Sequence, residues 1–515
     1  MSGDDKKTDI LIIGSAAAGS TFARLLAGTG RKITMIDAGK QLSVRPGQHL
    51  KNDFRYRQEP NVFSATIASQ LETYSLPQRF LTKVLHPRAN FENKKQKWWR
   101  NMPFASTSYA VGGMLTLWTA STPDPVAFER APFIPNDEWE QMLAIAKILL
   151  NVHDDVFSDS IVGKAVYERF VQKGYHMNPL QQAAQRLPVD DRRAYFVNWT
   201  GADTILGPLV DDAEHYKDRF EILAEHRAEE LHLSGGKVVS VKVRDLRTYT
   251  HHKIHADLVI VAAGSFLTPR LLWQSGIQPY ALGRYLNDNV ESSCEVVIHP
   301  DIIETIRSDP DNPVREKGIP IPHNDPGPAL GFPPTLEKPW HGQIHRLSRQ
   351  FIYLPGEDVR KTVRLTYYGT VDISPENRIK FSPDHKDRFG MPQITIDFGY
   401  SIHDWRRAVR MWWDMIRTAN VIGGIHDFPL ISPPGSTLHF QGTVRMGETS
   451  DEQTSVVDPF SKVWGFDNLY LGGLGVIPNS MASNPTLTAC ALAVRSAAHI
   501  RGMSLEELMK EVSAK

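Results

Sequence analysis

His439 and Asn484 are the residues whose types fit a proton-transfer site. His439 opens the stretch His439-Phe440-Gln441-Gly442-Thr443-Val444-Arg445-Met446-Gly447, a turn-forming setting, and Asn484 opens Asn484-Pro485-Thr486-Leu487-Thr488. An imidazole can take a proton near neutral pH, and a carboxamide can hold the same oxygen by a hydrogen bond. Brought together, such a pair makes a site for taking a proton from a hydroxyl group. One histidine among 19 carries little alone. The second signal lies hundreds of residues earlier, near the start of the chain.

There Gly14-Ser15-Ala16-Ala17-Ala18-Gly19 reads G-x-A-x-x-G. It follows an apolar run, Asp9–Ile13, that reads as a buried parallel strand. Ser20–Gly28 reads as a helix and Lys32–Asp37 as a second strand, which completes one βαβ unit. Gly14 permits the tight turn and Gly19 lets the helix pack on the strand. Ala16 takes the middle place, where glycine usually lets the backbone approach a pyrophosphate. Asp37 ends the second strand, placed to accept a hydrogen bond from an adenosine ribose. Its charge would repel a 2′-phosphate, so NADP is disfavoured.

A second block of strands is expected at Leu231–Ser234, Val238–Val243 and Ile254–Ala262, with Gly235-Gly236 as a hairpin turn. It runs into Ala263-Gly264-Ser265 and a helix, Leu267–Trp273. Residues 306–339 are rich in Pro and Gly and read as a long ordered loop or arm. Strands follow at Thr362–Tyr368 and Gln393–Phe398. The helical spacing of Val409, Trp412, Trp413 and Ile416 within Trp405–Ala419 predicts an aromatic stripe packed in the core. Asn484 is a good N-cap and Pro485 a good first residue for a helix over Thr486–Ile500. The positive end of that helix, aimed at a flavin, would stabilise the negative charge of the reduced ring.

The whole chain sets limits. At 515 residues it is expected to form two domains. It is 41% hydrophobic and 23% charged, with a mean hydropathy of −0.31. Lys+Arg and Asp+Glu are both 58, so net charge argues for neither nucleic acid nor an anionic membrane. The basic cluster Lys94-Lys95-Gln96-Lys97 reads as a solvated face. The two cysteines, Cys294 and Cys490, fit neither a disulfide framework nor a thiolate metal site. His251-His252 has no clear third ligand and reads as a surface pair, so no metal is expected. No apolar segment has the length of a signal or a membrane span, and a soluble, cytoplasmic protein is expected.

Several stretches together resemble the glucose–methanol–choline (GMC) flavin oxidoreductases, most closely the pyranose 2-oxidases and bacterial glycoside 3-oxidases. Val111-Gly112-Gly113-Met114 with Trp118-Thr119 is similar to their flavin-contacting loop. Trp340-His341-Gly342-Gln343-Ile344-His345-Arg346 is similar to the start of their substrate loop. Val457-Asp458-Pro459, Asn468-Leu469-Tyr470-Leu471-Gly472-Gly473 and Asn484–Ala489 follow their C-terminal block. The resemblance implies roles. His439 matches the catalytic base and Asn484 its partner, both also touching substrate. Thr119 matches a threonine near flavin N5, and Gln343 a sugar-contacting glutamine. The FAD contacts would come from Gly14, Ala16, Gly19, Asp37, Gly112, Gly113, Met114, Thr119, Ala263, Gly264, Gly473, Asn484, Pro485 and Thr486.

Three departures stand out. Leu117 replaces the histidine that tethers FAD in pyranose 2-oxidases, so FAD is expected to be noncovalent. An arginine of the family's sugar site is replaced near Thr366-Tyr367-Tyr368-Gly369, and Leu347–Tyr353 differs from the family's gating loop. The missing tether and the altered loop favour oxidation at C3 over C2.

The fold class implied is α/β. A discontinuous Rossmann-like FAD domain (1–45, 220–300 and 455–515) would join a sheet-based α+β substrate domain (46–219 and 301–454). The Pro-rich arm near 306–339 would cover the site or serve oligomer contacts. The expected reaction takes a secondary hydroxyl of a pyranose or glycoside to a ketone, with the hydride going to flavin N5. Reoxidation would follow by O2, giving H2O2, or by a quinone-type acceptor. The alternative is an enzyme of the same fold acting on a nonsugar alcohol. An FAD-binding protein without catalysis would have no use for the His439/Asn484 pair.

Overall fold

In the computed structural model, Ile10-Leu11-Ile12 is wholly enclosed because it forms the middle of a sheet. The structure describes residues 5–53, 55–56, 59–73, 93, 95–187, 197–312, 314, 318–323, 325–345, 358–387 and 390–514. Lys94, Arg346 and Leu347–Tyr353, the stretch compared with the gating loop, fall outside these.

The first sheet is built from β1 Lys6–Ile13, β2 Ile33–Asp37, β3 Phe220–Ala224, β4 His226–Ser234, β5 Lys237–Asp245 and β6 His251–Val261. Their order is β4-β5-β6-β1-β2-β3, with Leu469–Leu471 added against β6. Pairing is parallel from β6 through β3 and to Leu469–Leu471, and antiparallel in β4-β5-β6. The sheet thus takes strands from both ends of the chain. The expected hairpin turn is present, with φ of 55° at Gly235 and 73° at Gly236. Glycine reaches those angles without a Cβ penalty.

Five helices matter to the site: α1 Ala17–Leu26, α2 Asn136–Leu150, α3 Gly264–Gln274, α4 Ile402–Ile422 and α5 Thr486–Arg501. Every residue of α5 from Leu487 to Ala498 is buried. Small residues (Ala489, Cys490, Ala491, Ala493, Ser496, Ala497) let α1 and α2 pack closely around it. The start of α5 differs from the capping expected. Pro485 precedes the first turn, and no side chain caps it. The Asn484 amide is committed to other partners.

The second sheet holds β7 Val290–Ile298, β8 Ala329–Phe332, β9 Trp340–His345 and β10 Thr362–Gly369. It runs Gly423–Ile425, β7, β10, β9, β8, Asn178–Pro179. Val290–Ile298, inside the 220–300 segment read as nucleotide-binding, therefore pairs in the other sheet. The cause is its alternation. Val290, Ser292, Cys294, Val296 and Ile298 are buried on one face, and α4 packs against this strand.

The opposite face is polar. Register places Glu291, Tyr368 and His341 in one row, Ser293, Thr366 and Gln343 in the next, and Glu295, Arg364 and His345 in a third. Successive strand residues point to opposite faces. Tyr367, Leu365 and Ile344 accordingly belong to the apolar side, where the Tyr367 hydroxyl donates to Thr418 Oγ1 of α4 at 2.9 Å.

Three other expectations change. On α4 the sheet is met by Ala408, Met411 and Met415. Of the expected stripe, Val409 and Trp413 are instead 47% and 51% exposed, while Ile416 is half-buried and Trp412 packs against the second core, so only part of the stripe meets the core. The Pro-rich stretch contains strand β8 and a buried Asp325, whose carboxylate accepts from Ser160 Oγ and the Ile161 and Gly327 N–H groups. His252 is buried on β6 with its ring 5.6 Å from that of His226. Its neighbour His251 pairs with Glu229 at 3.1 Å. Among the described residues, no cluster of three or more potential metal ligands occurs, and no helix is long and apolar enough to cross a membrane.

Candidate active site

A cavity of about 480 Å³ runs from the loop after β1 to His439 and Asn484. At one end Gly14 turns the chain with φ of 103°. A Cβ there would sit 2.4 Å from Ala262 O, so only glycine fits. Ala16, Ala17 and Ala18 present the N-terminus of α1 to the cavity, where helix N–H groups have no intrahelical acceptor.

Asp37 lines the cavity too, but it also ties loops together. It accepts from Ser15 N at 3.0 Å, Ser15 Oγ at 2.5 Å and Gly39 N at 2.7 Å. Burial raises its pKa. The Ser15 hydroxyl in turn accepts from Gly112 N at 2.8 Å. Gly113, at φ 55°, sits where a Cβ would meet Ala16 Cβ at 2.8 Å. The two glycine-bearing loops therefore lock edge to edge.

Of the residues singled out by sequence, Gly14, Ala16, Asp37, Gly113, Met114, Thr119, Ala263, Gly264, Gly473, Thr486, His439 and Asn484 line the cavity, and so does Leu117. Gly19, Gly112, Pro485 and Gln343 stand behind the wall. Gly19 gives α1 its close approach: a Cβ there would lie 2.0 Å from Gly14 O. Gln343 is buried, and its NH2 group donates to Asn484 Oδ1 at 2.5 Å and Ser121 Oγ at 3.0 Å.

His439 and Asn484 meet. Asn484 Nδ2 lies 3.2 Å from His439 Nε2. Asn484 Oδ1 accepts from Gln343 and from Ser121 Oγ, so its NH2 must face the histidine. On the far side of the ring, His439 Nδ1 lies 2.7 Å from Asn289 Oδ1. The Asn289 NH2 donates to the Gly369 and Met481 carbonyls, so its oxygen faces the ring. The tautomer follows: Nδ1 carries the proton and Nε2 its lone pair. Burial and the neighbouring His341 hold the His439 pKa down to about 3.

The backbone around both residues is fixed by buried groups. Asp288 accepts from the His439 N–H at 3.1 Å and from the Thr437 hydroxyl. Burial pushes its pKa up to about 7. Ser265 Oγ donates to Phe440 O at 2.6 Å, and Thr443 Oγ1 to Ser265 O at 2.7 Å, which ties the histidine loop to α3. Leu438, just before His439, holds φ of 62°, unusual for a bulky residue and a marker of strain at a functional loop. Glu129 secures the other loop. It accepts from Ala482 N at 2.6 Å and Ser483 N at 2.9 Å, immediately before Asn484.

A proton acceptor, Nε2, and an amide donor, Nδ2, thus converge at a cavity whose other end offers glycine turns and a helix N-terminus. Residues 208–291 and 374–493 match the GMC oxidoreductase family. The chain is 33% identical to the pyranose 2-oxidase of Tricholoma matsutake, over 95% of this chain and 93% of that protein. The chain belongs to the GMC oxidoreductase family. This GMC oxidoreductase is also 32% identical to the C-glycoside 3-oxidase of Microbacterium trichothecenolyticum, over 96% of each. Its fold matches the crystal structure of pyridoxine 4-oxidase from Mesorbium loti at a TM-score of 0.65 and 17% identity, covering 96% of this chain and 100% of that one.

Like its family, it is an FAD-dependent oxidoreductase acting on CH–OH groups. The residues present fit the cofactor. Gly264 and Gly473 line the cavity with positive φ, and a Cβ on either would meet nothing within 4 Å. Ser15, Ser121, Glu129, Asp288 and Asn289 had escaped sequence reading. Ser15 holds a variable position of the glycine loop and the other four carry no motif, so only the fold brings their side chains to the site.

Proposed function

We propose that this GMC oxidoreductase oxidises a secondary hydroxyl of a pyranose sugar or glycoside to a ketone, at C3 in preference to C2. The observation that carries the reading is the 3.2 Å approach of Asn484 Nδ2 to His439 Nε2. A hydroxyl placed between them accepts from Nδ2 and donates to Nε2. His439, neutral and with Nε2 unprotonated, takes the hydroxyl proton. Asn484 holds the oxygen while charge develops on it. Bound FAD supplies the hydride acceptor for the hydrogen on carbon. Gln343 and Ser121 keep the Asn484 amide turned toward the histidine.

A sugar substrate is supported by the polar face of the second sheet and by the relatives named pyranose 2-oxidase and C-glycoside 3-oxidase. Gly14, Ala16, Asp37, Gly113, Met114 and Thr486 are proposed to hold FAD, and Thr119 to stand beside its reactive ring. FAD is held without a covalent tether, because Leu117 offers only aliphatic carbon at the cavity wall. The preference for C3 rests on that missing tether and the altered segment after Arg346. The electron acceptor is O2, with H2O2 formed, or a quinone.

The test is an anaerobic visible spectrum before and after sugars and glycosides are added. Bleaching of the flavin bands is expected, with FAD released on acid precipitation and the product carbonyl at C3 by NMR. His439→Ala should keep FAD but slow reduction by about two to four orders of magnitude. Reduction at the wild-type rate in that variant would defeat the assignment.

A further inference from the structure

Glu291 stands opposite Tyr368 in the register of β7 and β10. Both line the cavity with His439, and the Tyr368 ring lies 5.5 Å from the histidine ring. The Glu291 carboxyl is raised by burial, opposed by the more distant Arg364 and by a bond from Ser432. Arg364 itself is spent elsewhere. It donates to Glu295 Oε1 at 2.9 Å and to Ser293 Oγ at 2.7 Å. Among the described residues, no cation forms an ion pair with Glu291. That end of the cavity therefore carries an acidic group with acceptor capacity to spare, on which Arg364 acts through space without pairing with it.

We propose that Glu291 determines substrate specificity at this site: it accepts hydrogen bonds from hydroxyl or ammonium groups of the sugar and rejects sugars bearing a carboxylate or phosphate. The inference rests on the sugar reading above and narrows it to neutral and amino glycosides. The chemistry is direct. A carboxylate can take two neighbouring hydroxyls at once, and a protonated amine binds it by a charge-assisted bond. A second anion brought beside it finds Arg364 already held by Glu295 and Ser293, and like charges in such a site cost several kcal/mol. The adjacent Tyr368 phenol stays protonated, since burial and the Glu291 charge raise its pKa, so it adds a neutral donor.

The experiment compares the FAD-loaded wild type with Glu291→Gln and Glu291→Leu. The substrates are methyl glucoside, methyl glucosaminide and methyl glucuronide. Anaerobic stopped-flow reduction gives limiting rate and KM separately, and quenching of flavin fluorescence gives binding. The wild type should disfavour the glucuronide against the glucoside in kcat/KM by about a hundredfold or more, two factors of ten at 1.4 kcal/mol each. Glu291→Gln should narrow that ratio by at least about tenfold and abolish any advantage of the glucosaminide. Glu291→Leu should raise KM for the glucoside with little change in limiting rate, the mark of lost binding. An unchanged glucuronide-to-glucoside ratio in Glu291→Gln, with neutral sugars still reducing the flavin, overturns the role of Glu291 alone. If no neutral glycoside reduces the wild-type flavin, the sugar reading fails and this proposal falls with it.

Discussion

His439 Nδ1 donates to Asn289 Oδ1 at 2.7 Å, and this bond leaves the Nε2 lone pair facing Asn484 and the cavity. Asn289 cannot turn over, because its NH2 is held by two carbonyls. It is a positioning residue, as it acts through His439. With the imidazole pKa held down to about 3, the ring proposed as the base stays unprotonated throughout the ordinary assay range.

Flavin reduction in the wild type should therefore show no loss from histidine protonation between pH 5 and 7. Asn289→Asp would place an anion beside Nδ1–H and raise the imidazole pKa by about one to three units. Its acid limb should move up by that amount in a stopped-flow pH profile. Asn289→Leu should slow reduction by about ten- to a hundredfold with KM little changed, as expected for lost orientation. A profile for Asn289→Asp superimposable on wild type would count against the positioning role.

Glu129→Ala would leave the buried Ala482 and Ser483 amides without their acceptor. At about 1–3 kcal/mol for each unsatisfied group, the loss should reach about 2–6 kcal/mol. The Asn484 loop would also lose its anchor, so reduction should slow. Glu129→Gln keeps one acceptor oxygen and should restore most of both. Urea unfolding and reduction kinetics on the pair of variants check this. Equal behaviour of the Ala and Gln variants would show that the oxygen is not what matters.

Much of the cavity's glycine-loop end was legible because its signals are local. Gly14 and Gly19 are dictated by contacts with neighbouring backbone, and the buried run at Ile10–Ile13 announces its strand. The other end of the cavity was legible only as His439 and Asn484, which the fold brings together. Their supports are spread across the chain: Ser121 lies 363 residues from Asn484, and Asn289 lies 150 from His439. Asn484 was misread as a cap because local propensity is weak beside three tertiary partners, Ser121, Gln343 and His439. Ala120 and Leu438 hold φ of 57° and 62° next to site residues, and neither residue type advertises such a conformation.

Ser15 joins Asp37 to Gly112, and its hydroxyl is the link between the nucleotide loop and the loop of Leu117 and Thr119. Gly113→Val would push a side chain against Ala16 at a strained φ. It should weaken FAD binding by about tenfold or more, since 1.4 kcal/mol suffices for that. Ser15→Ala should weaken it less, through loss of the link. Equilibrium dialysis of FAD reads both. An unaltered Kd in Gly113→Val would place the flavin away from this contact.

Asp288 makes stability depend on pH in a direction opposite to most carboxylates. Its folded pKa, pushed up to about 7 by burial, lies above the ordinary 3.8 of an exposed aspartate. Between these values the unfolded chain has released the proton and the folded chain keeps it, so stability falls as pH rises from about 4 to 7. The contribution is fully present below pH 4 and gone above 7. At about 1.4 kcal/mol per unit, the loss reaches up to about 4 kcal/mol. His439 works the other way: its folded pKa lies below the unfolded one, so its contribution grows from about pH 3 to 6.5. Comparing wild type with Asp288→Asn cancels the histidine. Asparagine keeps an oxygen for Thr437 and the His439 N–H but does not titrate. Its stability relative to wild type should climb steadily across pH 4–7 in urea unfolding with FAD in excess. A difference that stays flat over that window would mean Asp288 ionises in the fold as it does in water.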